Sequence, residues 1–318
     1  MGDPSYARIC HNAHVSAIGI TFAGLQLHSP LIGAAGTAGY TNELADAGSL
    51  GSLGAVTSKS LTGQPRDGND LPRVIPLKAG MLNAIGLANM GIDRFLAERS
   101  EDPRTMPCRL FASVAGHSID EYCLVAGRLD RETDIPLIEA NVSCPNTSDG
   151  RAFSADPSAM RTLLCALRAS VGRAKLFAKL PPDGDAVALA GAAMEAGVDG
   201  LTLCNTMPAM AIDVTTRRYR LANRRGGLSG PAVHAVAVRV VHDVRHQVTK
   251  GAVPIIGLGG VAAWDDAAEL ILAGADAVGL GTILLADPGA PRRIARGLER
   301  WLLGQGCHHL HELVGQVR

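Results

Sequence analysis

Short apolar runs suited to fully buried strands recur along this chain, and amphipathic stretches separate them. That alternation is the tightest limit on its fold. The runs cover residues 30–35, 54–58, 109–114, 136–142, 175–180, 200–204, 254–258 and 277–280. Strands this apolar are buried on both faces, which favours parallel pairing, and parallel neighbours need helical crossovers. One crossover, at 265–273, follows Trp264, opens on Asp265 and Asp266 where a helix N-terminus favours negative charge, and stops at Gly274. Another, at 185–196, stops at Gly197. Eight such units in 318 residues predict an α/β fold, a (β/α)₈ TIM barrel. No linker, internal repeat or low-complexity segment interrupts the series, so residues 1–318 are expected to form a single domain.

Two segments fall outside the repeat. Residues 18–28 alternate apolar and polar around Gly24, which predicts a short N-terminal β-hairpin closing the N-terminal end of the barrel. Residues 62–89 form a long, polar loop after strand 2, punctuated by Pro65, Gly68, Pro72, Pro76, Gly80 and Gly86. Connections of that length are usually functional or disordered. The run Asn83-Ala84-Ile85-Gly86-Leu87 points to function.

Charge narrows the partners. Lys plus Arg equals Asp plus Glu at 30 each, without the basic excess that steers a protein onto nucleic acid or an acidic membrane. A small-molecule ligand is favoured. The seven cysteines (Cys10, Cys108, Cys123, Cys144, Cys165, Cys204 and Cys307) are scattered and odd in number. They outline neither a disulfide framework nor a zinc site, and reduced thiols fit a cytoplasmic protein. Residues 1–15 hold no secretory apolar core and no membrane span.

The polar and Gly-rich oddities follow the ends of the predicted strands, the end of such barrels where active sites lie. Strand 1 is followed by Gly33-Ala34-Ala35-Gly36, strand 2 by Lys59-Ser60, strand 3 ends near Ser113, and strand 4 leads into Asn141-Val142-Ser143-Cys144-Pro145-Asn146. Strand 5 ends at Lys179, and strands 6, 7 and 8 lead into Asn205-Thr206, Gly259-Gly260 and Gly281-Thr282. A lone cysteine in a turn reads as a core thiol. Flanking carboxamides change that reading, because they offer donors and acceptors to a polar planar ligand. Glycines after strands 7 and 8 let backbone amides approach an anion, so a phosphorylated cofactor is implied, and the Gly226–Pro231 segment offers a third wall. Lys59 and Lys179 end apolar runs, where an ammonium needs an anionic partner from the protein or from a ligand. His308, His309 and His311 lack a carboxylate or cysteine set for metal, so none is expected, and Arg217, Arg218, Arg220, Arg224 and Arg225 read as a solvated basic loop.

These residues resemble the dihydroorotate dehydrogenases over most of the chain, from about Ile18 to Trp301. Beside the Asn141-to-Asn146 run, the resemblance rests on Met81-Leu82-Asn83-Ala84-Ile85-Gly86-Leu87, Lys179-Leu180-Pro181-Pro182 and Ala222-Asn223 with the Gly226–Pro231 segment. Ile256-Gly257-Leu258-Gly259-Gly260 and Gly281-Thr282 complete it. The resemblance implies an FMN-containing barrel that oxidises dihydroorotate to orotate in pyrimidine biosynthesis. Class 1 members use a cysteine as base where membrane-bound class 2 members use serine, so Cys144 resembles class 1. The 83–87 run and the 222–231 segment are most similar to subclass 1B, which implies NAD as acceptor through a partner subunit carrying FAD and an iron–sulfur cluster. The family also suggests a homodimer.

Carried over, the resemblance makes Cys144 the base for the C5 proton while the C6 hydride passes to the flavin. Lys59, Asn83, Ala84, Ile85, Gly86, Leu87, Asn141, Asn205 and Thr206 would hold the substrate. Ala35, Gly36, Lys59, Ser60, Ser113, Asn141, Lys179, Cys204, Gly230, Gly259, Gly260, Gly281 and Thr282 would line the flavin and its phosphate. The sequence departs from the family at Ala35 (usually serine), at Ser113 (commonly asparagine in subclass 1B), at Met207-Pro208-Ala209, and at His234-Ala235 in place of Lys-Pro. Those departures leave Cys144 and the principal asparagines in place. Three alternatives stand beside the reading: another FMN-dependent dihydropyrimidine-type oxidoreductase, a tRNA dihydrouridine synthase, disfavoured by the balanced charge, and a non-catalytic barrel subunit, disfavoured by the intact Cys144, Lys59, Asn83 and Asn205.

Overall fold

The eight apolar runs form eight short parallel strands: Leu31–Gly33, Ala55–Thr57, Arg109–Val114, Leu137–Asn141, Lys175–Leu180, Gly200–Leu203, Ile255–Leu258 and Ala277–Leu280. They close into a barrel in which every strand lies beside its neighbours in sequence, and Val278 pairs with Leu31 to join the last strand to the first. The computed structural model describes residues 17–45, 49–101, 106–143 and 152–318. Five of the strands are shorter than the apolar runs, because their terminal residues turn into the loops.

Helices return the chain between strands, and local chemistry sets their ends. Ser118 caps Ile119–Glu132 by accepting from the Glu121 amide. Asp156 caps Pro157–Ser170, whose leading proline suits a first turn that needs no donor there. Asp185 caps Ala186–Glu195, and Gly197 beyond it adopts φ +77°. Trp264, expected just ahead of its helix, is the first residue of Trp264–Ala273, with Asp266 accepting from the amides of Ala262 and Ala263.

The expected hairpin is present as Ile20–Phe22 paired antiparallel with Leu25–Leu27. Ala23 and Gly24 both have positive φ, the two-residue turn whose twist matches a hairpin. Its buried face, Phe22 and Leu27, packs on Ile32, Ala55, Phe111, Leu137, Phe177, Ile256 and Ala277 at the starts of the barrel strands. The Phe22 and Phe177 rings lie 5.6 Å apart. One end of the barrel is therefore an apolar plug. Gly200 makes room for it, since a Cβ there would fall 2.2 Å from the Phe177 ring.

The loop expected after strand 2 contains regular structure. Val74–Leu77 and Gly80–Asn83 form a hairpin that pairs with Arg225–Ser229, which in turn pairs with Met207–Met210. Two distant loops thus build one four-stranded antiparallel sheet. Gly80 permits the junction, because a Cβ there would meet the Ser229 carbonyl oxygen at 2.1 Å. The basic stretch is also partly ordered, with Arg218–Tyr219 paired to Ile212–Asp213 and the arginines Arg217, Arg218, Arg224 and Arg225 exposed.

Phe22→Ala should destabilise the chain by roughly 3–5 kcal/mol, the usual cost of emptying a buried phenylalanine site. Chemical denaturation would register it as a lowered midpoint.

Candidate active site

At the end of the barrel opposite the plug, the strand ends and the small sheet enclose a cavity of about 390 Å³. Cavities of about 300–1,000 Å³ are the size of cofactor sites. Ala35, Gly36, Lys59 and Ser60 line it from the first two strand ends, and Asn141, Lys179, Cys204, Asn205 and Thr206 from the fourth, fifth and sixth. Gly230, Gly259, Gly260, Gly281 and Thr282 form the opposite wall. Val74, Met81 and Leu228 of the antiparallel sheet also line the cavity, so the sheet acts as its roof.

Asn205 organises the polar wall. Its Nδ2 donates to Asn141 Oδ1 at 3.1 Å and to Ser143 Oγ at 3.2 Å, while its Oδ1 accepts from the Thr206 amide at 2.8 Å. With its Oδ1 bonded to Asn205, Asn141 keeps its Nδ2 donors for a ligand. The buried Tyr122 hydroxyl fixes the Asn141 carbonyl at 2.5 Å. Asn83 lines the cavity and donates to the Gly227 carbonyl at 3.2 Å, and its Oδ1 carries no hydrogen bond to the described residues. Ile85, Gly86 and Leu87 continue this wall, with Gly86 at φ +71° and Leu87 at φ +57°. A left-handed leucine costs about 1–2 kcal/mol, and such strain persists where surrounding contacts over-determine it. The Asn69 amide and side chain supply such contacts, bonding to the Ile85 and Ala84 carbonyls.

The glycine wall suits an anion. Gly230 and Gly260 adopt φ +86° and +72°, and a Cβ on Gly260 would come within 2.7 Å of the His234 Cβ and 2.9 Å of the Gly230 carbonyl oxygen. Only glycines let these backbones pack so closely beside a ligand. His234, one of the sequence departures, donates through Nδ1 to the Gly259 carbonyl at 2.8 Å, and its Nε2 faces Glu269 at 3.1 Å. The Gly259 carbonyl is thereby held toward the helix His234–Val244. Thr282 Oγ1 donates to Ser229 Oγ at 2.8 Å, tying the eighth strand end to the roof.

Two expected ligand residues stand elsewhere. Ser113 is fully buried and shares a hydrogen bond of 2.9 Å with Ser60, so it lies behind the wall and steadies the hydroxyl that reaches the cavity. Ala84 points away from the cavity and packs with Ile75, Leu82 and Leu221 on the far face of the roof, because strand alternation turns it opposite to Asn83 and Ile85. Cys144, Pro145 and Asn146 lie outside the described residues. Ser143 lines the cavity and was not among the expected ligands, although it sits inside the motif that drew attention. Its position next to the cysteine and two after Asn141, on the same side of the chain, was the available signal. Lys179 sits at the cavity floor with Nζ 3.8 Å from Glu139 Oε1, so its partner from the protein exists. Cys204 lines the cavity and is buried, and burial pushes its thiol up to about 12, which leaves it protonated at neutral pH and unsuited to act as a base.

Comparison with known proteins agrees with this geometry. The family model described as dihydroorotate dehydrogenase matches residues 17–302, and the chain belongs to that family. It is 40% identical over 302 residues to the dihydroorotate dehydrogenase B (NAD(+)) catalytic subunit of Geotalea daltonii, covering 95% of this chain and 98% of that one. The subunit of the same name from Pelobacter propionicus is 42% identical over 300 residues, 94% of this chain and 97% of that one. Among solved structures, the crystal structure of DHODH from Eimeria tenella in complex with ferulenol matches with a TM-score of 0.80 at 24% identity. That match covers 99% of this chain and 96% of that chain, and carries the fold.

A thiol at about 12 holds roughly 10³-fold less thiolate at a given pH than one at 8.5. Cys204 should accordingly resist iodoacetamide at pH 8 in the folded chain and react once the chain is denatured, as peptide mass mapping would reveal.

Proposed function

We propose that this chain oxidises dihydroorotate to orotate in pyrimidine biosynthesis, as the class 1B catalytic subunit of an FMN-dependent dihydroorotate dehydrogenase formed by residues 1–318 as one domain. The observation that carries the reading is the convergence of Lys59, Asn83, Asn141 and Asn205 on one cavity of cofactor size, in a chain of this family. The glycine cradle, in which Gly230, Gly259 and Gly260 hold positive φ and leave no room for a Cβ, fits the phosphate of FMN.

FMN, when bound, supplies the acceptor for the C6 hydride. Gly230, Gly259, Gly260, Gly281 and Thr282 would hold its phosphate, and Ala35, Gly36, Ser60, Lys179 and Cys204 would border its ring. Lys59 offers an ammonium to the substrate carboxylate. The donor end of Asn141 and the acceptor end of Asn83 are complementary to the ring C=O and N–H groups of a dihydropyrimidine. Asn205 positions Asn141 and Ser143, and its remaining lone pair and Thr206 complete the substrate side. Cys144 takes the C5 proton as a thiolate while the hydride leaves C6, so the C5–C6 double bond forms with charge and atoms balanced. The roof over the cavity limits water access during this step.

The relatives' designation as catalytic subunits supports a partner that passes electrons onward to NAD, through FAD and an iron–sulfur cluster in our reading. A homodimer of this chain is part of the same proposal. No described helix is long and apolar enough to cross a membrane. Cys108, Cys123, Cys165, Cys204 and Cys307 are free, which supports a reducing compartment and a cytoplasmic site of action.

Anaerobic mixing of the FMN-loaded chain with dihydroorotate should bleach the flavin absorbance, and an unbleached spectrum would refute the substrate. Cys144→Ala should keep the flavin spectrum and slow bleaching by about 10²–10⁴-fold, the usual contribution of a general base. In the unmodified chain the bleaching rate should rise from pH 6 to pH 9, since the base acts only as thiolate and an unperturbed thiol titrates near 8.5.

A further inference from the structure

At and beneath the cavity floor lies a polar layer of which the mechanism above uses only Lys179. Side chains alternate along each barrel strand, so Glu139 points into the barrel between Leu137 of the plug and Asn141 of the cavity wall. Lys179 and Thr202 project into the same layer from the next two strands, paired in register with each other. Glu139, Lys179 and Thr202 are 3%, 6% and 1% exposed. Glu139 Oε2 accepts from Thr202 Oγ1 at 2.7 Å. Its Oε1 has no hydrogen-bond partner among the described residues and faces the Lys179 ammonium at 3.8 Å.

That arrangement is costly as pure architecture. A carboxylate buried with one oxygen unbonded stabilises a fold less than apolar residues of the same volume would. A reason to keep it is the cation beside it: Lys179 lines the cavity, and Glu139 does not. Thr202 fixes one carboxylate oxygen so that the other aims at Nζ, and the long contact leaves the ammonium's donors available toward the cavity.

We infer that Glu139 is a positioning residue, the fixed counter-ion that holds the Lys179 ammonium at the cavity floor and offsets its charge, and so sets how strongly the site favours reduced over oxidised FMN. The inference rests on the flavin reading above. Reduction adds negative charge to the bound cofactor, and an ammonium whose charge is half-cancelled by a carboxylate attracts that charge less than a bare one.

The test uses the full chain loaded with FMN, with dissociation constants from flavin fluorescence and midpoint potentials from dye-coupled anaerobic reduction. Glu139→Gln keeps the shape and the contact to Thr202 and removes the charge. It should bind oxidised FMN within a few-fold of the unmodified chain and raise the preference for reduced FMN at least tenfold, about 30 mV upward for a two-electron couple. In a Lys179→Met background the same substitution should move the potential by less than a third as much. Should Glu139→Gln lose its fold by circular dichroism, Thr202→Val, which frees the carboxylate, should shift the potential upward and lose that effect without Lys179. An unchanged potential, or an equal shift with Lys179 absent, overturns the role of Glu139 while leaving the flavin reading intact. An unmodified chain that takes up no FMN overturns both.

Discussion

Everything in this molecule depends on the pairing of its last barrel strand with its first. Val278, Gly279 and Leu280 bond in register to Leu31, Ile32 and Gly33, across almost the whole length of the chain. Without that closure the eight short strands would leave two open edges whose unpaired amides and carbonyls are a template for pairing with another chain. Closure also fixes direction. All eight strands run the same way, so every strand end that carries polar residues is delivered to one rim.

The two ends of the barrel then take opposite chemistry. At the start of the strands, Phe22, Phe111 and Phe177 fill the interior with aromatic volume, and the hairpin caps it. Further along, the interior turns polar: Ser113 bonds Ser60, Thr202 bonds Glu139, and Lys179 looks out into the cavity. The buried polar groups are tolerated because they meet one another inside the barrel, between neighbouring strand ends as with Ser113 and Ser60 or across one intervening strand as with Thr202 and Glu139. The cavity is the continuation of this layer into open space, with Asn205 as the hub that links the fourth and sixth strand ends.

The barrel was legible in the sequence because its signals are local: apolar runs, Asp and Ser caps, and glycine stops. Most of the candidate wall was legible too, since a closed parallel barrel converts "after a strand" into "at the rim". The roof was not, because its strands are poor as local sequence. Pro76 and Gly80 interrupt the first hairpin, and Arg225-Gly226-Gly227-Leu228-Ser229 has little β-propensity; only pairing between segments some 145 residues apart makes them a sheet. Ala84 stands off the cavity for a related reason, as position in a motif does not reveal which way a side chain turns, and Ser113 because it lies a layer deeper, behind Ser60. Glu139 was hidden inside a run read as apolar, although a single carboxylate of the same parity as Asn141, one strand from Lys179, was a readable sign of an interior ion pair.

The shared roof carries a consequence for how such a site can change. Met81 pairs with Ser229 and Asn83 with Gly227, so the segment after the second strand and the segment after the sixth are stitched into one surface. A one-residue insertion in either would slide the pairing and turn Asn83 to the outer face. Altered ligand preference in a barrel built this way has to arise by exchanging side chains in place, as at Met207, Pro208 and Ala209, while the lengths of both segments stay locked to each other.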